Sequence, residues 1–120
     1  MAELLVEGDE LVLHLSKAEK AEAVHGDLRV PRSAVRGLEV LDDAHGPAGF
    51  HAGMKIGTRL PGVIEVGIVQ GLHRRLFAAV HHDTPRGIRV RLQGAAFDEW
   101  IVGSADPEAV VARLAPAQGK

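Results

Sequence analysis

The sequence predicts a mainly β domain, β with some α, closed by one C-terminal helix. Three observations carry that expectation. Four β-type segments, Val63 to Val69, Arg75 to Val80, Ile88 to Leu92 and Phe97 to Val102, follow one another at hairpin spacing. In the third, Ile88, Val90 and Leu92 alternate with Arg89, Arg91 and Gln93, the period of two of a strand with one buried and one wet face. After the fourth, Asp106 stands at an N-cap, Pro107 at the first helical position and Glu108 in the first turn; Val110, Val111 and Leu114 then form an apolar stripe.

Taken in order, Leu4 to Val6 and Leu11 to Leu15 are β-compatible runs separated by Glu7-Gly8-Asp9-Glu10, so the chain opens with a hairpin. Ser16-Lys17-Ala18-Glu19 is a capping box, in which hydroxyl and carboxylate satisfy free amide donors, and it predicts a short helix that stops at Gly26. Leu28 to Val30 reads as a strand ended by Pro31, and Ser33 as the cap of one turn before Leu38 to Leu41 extends again. From Ala44 to Gly62 glycine and proline recur without apolar period, which predicts a long flexible loop over about 44–62, with room for a short strand near Met54 to Ile56. The four later segments are expected to form an antiparallel meander, and a slip of one residue in the third would bury two arginines. Pro116 stops the final helix and leaves a frayed tail over 116–120.

A chain of 120 residues, with 46% apolar and 25% charged, suits a single domain over 1–120 with one core. Fourteen Lys and Arg against sixteen Asp and Glu give a net charge of -2, which argues against a nucleic-acid partner. The aromatic set is Phe50, Phe77, Phe97 and Trp100, too few for stacking platforms on single strands. Absence of cysteine removes disulfides, thiolate nucleophiles and Cys-based zinc sites. The opening residues Met1 to Glu7 lack the basic and apolar regions of a signal peptide, and no run reaches bilayer length, so the expectation is a cytoplasmic protein without a membrane span.

Val30-Pro31-Arg32-Ser33-Ala34-Val35-Arg36-Gly37-Leu38-Glu39-Val40, Leu60-Pro61-Gly62, Phe77-Ala78-Ala79-Val80-His81-His82 and Ile101 to Val110 resemble an uncharacterised actinobacterial family and are similar to bacterial pleckstrin-homology-like (PH-like) domains. The resemblance covers nearly the whole chain. It implies a PH-like antiparallel β-barrel or split barrel of about seven strands, with the short helix after strand 2 as a departure from the simplest version and the C-terminal α-helix as a cap. It also implies a recognition or assembly module that binds lipids, peptides or further copies of itself. Glu7, Asp9 and Glu10 on the first hairpin would repel a phosphoinositide headgroup, which points away from the lipid branch.

The residues offer few constellations for chemistry. His81, His82 and Asp83 are metal-ligand types in sequence, but neighbours on a strand point to opposite faces, so strand-end hydrogen bonding is the plainer reading. Any of His14, His25, His45, His51 and His73 would have to complete a site. Arg74, Arg75, Arg86, Arg89 and Arg91 lie on neighbouring segments of the expected meander and could form a face for an anion or an acidic partner; alternatively they cover a solvated face and pair locally. Gly53-Met54-Lys55-Ile56-Gly57-Thr58 lacks the Gly-Lys-Ser/Thr order and the following helix of a phosphate loop. Ser16 and Ser104 look like helix-start residues rather than nucleophiles. The expectation is therefore a non-enzymatic module without cofactor, binding protein or itself through a sheet face or open strand edge. The alternative is a small metal-dependent enzyme or ligand-binding barrel using His81, His82 and Asp83.

Overall fold

The computed structural model describes residues 3–17, 19–20, 27–44, 54–60, 64–70, 75–81 and 86–114; over 54–60, 64–65, 69–70 and 81 it describes the backbone. Nine described strands form two sheets. Strands β1 (Glu3–Glu7), β2 (Glu10–His14) and β3 (Leu28–Pro31) make an antiparallel sheet in chain order. Strands β4 (Val35–Leu41), β5 (Met54–Leu60), β6 (Ile64–Gln70), β7 (Arg75–His81), β8 (Gly87–Leu92) and β9 (Glu99–Gly103) make the second, in the order β4-β8-β9-β7-β6-β5. Helix α1 (Pro107–Leu114) follows.

The hairpin β1-β2 turns on Gly8 and Asp9, with Gly8 at φ 59°, a conformation that glycine adopts without steric cost. Leu11, Leu13 and Leu15 are all buried, and so is Val12 on the opposite face. The capping box forms as expected. The Ser16 amide donates to Glu19 Oε1 at 3.0 Å, and the Glu19 amide donates to Ser16 Oγ at 3.2 Å. The helix was expected through Val24; of it, Lys17, Glu19 and Lys20 are described, and Ala18 and Ala21 to Gly26 lie outside the described residues.

The two sheets face each other across one core. Leu4, Leu11, Leu13, Leu28 and Val30 of the small sheet meet Val66, Phe77, Ile88, Val90, Trp100 and Val102 of the large one. Leu114 of α1 is buried in the same core, with Val110 and Val111 partly buried against it, so the predicted stripe docks the helix. Arg113 ties that helix to β1 by donating to the Leu4 carbonyl at 3.3 Å. Leu41, Ala44, Leu76, Ala78, Val80 and Ile101 form a second buried cluster on the opposite face of the large sheet.

Four expectations are corrected. First, the sheets do not close into a barrel, and nine described strands replace about seven. Second, the later strands are not a simple meander. Strands β5, β6 and β7 are, but β9 lies between β7 and β8, antiparallel to β8 and parallel to β7. All five residues of β9 are buried, which suits a strand flanked on both edges and covered on both faces. Phe97 and Asp98 precede it in a bend rather than belonging to it.

Third, part of the expected 44–62 loop is the seven-residue strand β5, which pairs with β6 from Met54↔Val69 to Leu60↔Ile64 with a register shift between Met54 and Ile56. Residues 45–53 and 61–63 lie outside the described residues, as do 115–120 with the expected tail. Fourth, Ser33 is not a cap. The turn over Arg32–Ala34 begins at Pro31, whose ring carries no acceptor and so gives no side-chain cap, and the Arg32 amide donates to the Asp9 carbonyl at 2.8 Å.

Candidate functional site

Three of the five arginines identified in the sequence, Arg86, Arg89 and Arg91, pair with carboxylates. Arg89 and Arg91 alternate with the buried Ile88, Val90 and Leu92 on β8, so both point away from the main core. Glu39 of β4 lies between them, with Oε1 3.3 Å from Arg89 Nη1 and 3.2 Å from Arg91 Nη2. Glu99 of β9, which is 3% exposed, puts Oε1 at 3.1 Å from Arg89 Nε; the distance suits an ion pair, though the N–H is out of line for a hydrogen bond.

Arg86 grips the start of α1 through both oxygens of Glu108 and reaches Asp42 at 3.4 Å. Hydrogen bonding to Glu108 raises the Arg86 pKa, and the same contact lowers that of Glu108. Arg75 sits elsewhere: β7 and β8 are not neighbours, and its guanidinium lies over the Phe97 ring at 4.9 Å. Arg74 lies outside the described residues. The structure thus gathers Arg89 and Arg91 with two carboxylates and leaves Arg75 and Arg86 apart.

His81 ends β7, paired with Ile64, while His82 and Asp83 lie outside the described residues. Among the described residues no group of three or more His, Asp or Glu is placed to hold a metal ion. His14 has a local partner, with Nδ1 3.0 Å from Asp27 Oδ2. His25, His45, His51 and His73 are outside the described residues. The stretch from Met54 to Thr58 is extended strand, not a loop around a phosphate. Ser104 acts at the helix start, its Oγ accepting from the Asp106 amide at 3.2 Å, and Asp106 Oδ1 accepts from the Ala109 amide at 3.3 Å. Among the described residues no helix is long and apolar enough to cross a membrane.

Two concavities stand out among the described residues. A cavity of about 360 Å³ opens where α1 meets β1 and the end of β9, floored by Leu4, Ile88, Val102 and Val110. Of its polar side chains, Asp106 and Ser104 are committed to the helix start and Arg113 to the Leu4 carbonyl, and Glu3 also lines it. A smaller slot of about 130 Å³ lies between β3 and the bend at Gly94-Ala95-Ala96-Phe97, with Trp100 in its wall. Trp100 is 1% exposed, and its Nε1–H has no hydrogen-bond partner among the described residues.

Trp100 is buried in the core and Gly94-Ala95-Ala96 lie in a bend, and the slot between them is not legible from the sequence. The available signal was a lone tryptophan in a strand, since a buried indole N–H ordinarily finds an acceptor. No protein-family model, curated protein or solved structure matches the chain.

Proposed function

We propose that the chain is a non-enzymatic recognition module, PH-like in kind and cytoplasmic, that engages protein partners through open strand edges. The observation that carries this reading is β5: it ends the six-stranded sheet, pairs with β6 on one side, and has no strand on the other among the described residues. Seven residues without proline then offer a row of backbone donors and acceptors, the template that strand addition uses.

Charge favours a foreign strand over a second copy. Strand β5 carries Lys55 and Arg59 and no acid; antiparallel pairing of two β5 strands about Gly57 would set Lys55 opposite Arg59. An extended segment with Asp or Glu at alternate positions complements the edge instead.

The test is a titration of the labelled chain with the peptide Ac-Glu-Val-Glu-Val-Glu-NH2, followed by backbone amide spectra at low and high salt. Shifts centred on residues 54–60 that weaken with salt support the reading. Unmoved β5 amides, in a chain that light scattering shows to be a strict monomer at all concentrations, would refute it.

A further inference from the structure

The cavity of about 360 Å³ beside α1 falls within the size range of small-molecule sites, and its composition points to one class of occupant. Helix α1 is held at its two ends. Pro107 and Leu114 are its buried residues, Arg86 holds Glu108 at the start, and Arg113 donates to the Leu4 carbonyl near the finish. Between those ends the lining contributed by Ala105, just before the helix, and Ala109, within it, extends no further than a methyl group, so the helix spans the gap without filling it. Leu4, Ile88, Val102 and Val110 make the floor aliphatic. Water in such a space finds few polar partners and is readily displaced by an apolar chain.

The polar end is equally specific. Arg29, Arg86, Arg89 and Arg91 each meet a carboxylate, whereas Arg113 meets none among the described residues and donates to the Leu4 carbonyl at 3.3 Å. That bond fixes the guanidinium where Leu4 of β1 borders the cavity, and a guanidinium has further N–H donors in a fork that suits a carboxylate. The two acids of the lining do not take this position. Asp106 caps the start of the helix, about 10 Å from Arg113 along the axis at the α-helical rise. Glu3 alternates with the buried Leu4 on β1, so its side chain leaves the strand on the other face.

We propose that this cavity binds a medium-chain aliphatic carboxylate, its alkyl chain lying against Leu4, Ile88, Val102 and Val110 and its carboxylate taken by Arg113. The site needs neither the open edge of β5 nor a protein partner, so the recognition reading and this one can each fail alone.

The labelled full-length chain is titrated with octanoate, with butanoate, and with octylammonium, which keeps the chain and reverses the charge. Octanoate is expected to shift the amides of Leu4, Val102 and Val110 together with the Arg113 Nε–H. It is expected to bind on the order of a hundredfold more tightly than butanoate, at about fourfold per added methylene. Octylammonium is expected to bind about tenfold more weakly than octanoate, and Arg113→Gln to weaken octanoate about tenfold without weakening octylammonium. Ala109→Leu, which fills the gap, is expected to abolish the octanoate shifts; the comparison of probes needs no variant and decides the matter where Ala109→Leu does not fold. Octylammonium binding as tightly as octanoate, Arg113→Gln binding octanoate like the parent, or octanoate shifts that are absent or confined to residues away from the cavity would each overturn the proposal.

Discussion

Asp27 shows how one carboxylate ties the first hairpin to the turn that follows it. It accepts from the Leu15 amide at 2.9 Å and stands 3.0 Å from His14 Nδ1 and 3.7 Å from Lys20 Nζ. The Leu15 amide, followed by His14 and Lys20, holds its carboxyl below the ordinary value against a smaller opposing effect of burial. A carboxyl lowered in the folded state contributes stability that is complete above its unfolded value, about pH 4, and is lost as pH falls through the folded value. Urea midpoints measured from neutral pH downward should therefore show Asp27→Asn less stable than the parent at neutral pH, with the gap closing below about pH 4. A gap of unchanged size at all pH values would remove the electrostatic explanation. Two other single residues carry definite expectations. Glu99→Ala leaves Arg89 beside an apolar void and should cost about 3 kcal/mol in denaturant unfolding, against under about 1 kcal/mol for the more exposed Glu39→Ala. Gly87→Ala would push a Cβ into the Val102 carbonyl oxygen across the β8-β9 ladder and against the Ala44 methyl, so a loss of about 2 kcal/mol is expected.

At the scale of elements, what could be read in the sequence was what is determined locally. Ser16 and Glu19 satisfy each other's amides within four residues, and Asp106, Pro107 and Glu108 set the start of α1 by the same short-range logic. Removing either cap, as Ser16→Ala or Asp106→Ala, should cost about 1 kcal/mol, whereas Leu114→Ala, which empties a core position, should cost about 3 kcal/mol. Thermal or urea unfolding separates the two classes, and equal losses would mean that α1 is not docked through Leu114. Strand β5 was hidden because Gly53, Gly57, Pro61 and Gly62 signal loop one residue at a time, while Met54, Ile56 and Leu60 alternate with Lys55 and Arg59 in a strand's period of two. Pairing with β6 decided between those signals, and pairing is not a local property.

Across the whole molecule, the order of strands was the least legible feature. The run Trp100-Ile101-Val102 is apolar on both faces, which marks an inner strand, yet nothing in it names β7 and β8 as the neighbours. That arrangement leaves β5 and β4 at the ends of one sheet and β1 and β3 at the ends of the other among the described residues. The candidate site was illegible for the same reason: Trp100, Arg29 and Gly94 to Phe97 are distant in sequence and meet only once both sheets are in place. Open edges around a flanked β9 are the claim on which the functional reading depends, and hydrogen exchange of individual backbone amides in the free chain tests it most directly. Amides of β7, β8 and β9 should be slow throughout, with alternate residues of β5 and the Arg29 amide of β3 exchanging fast. Uniformly slow exchange along β5 and β3, or an alternating fast pattern in β9, would contradict the account.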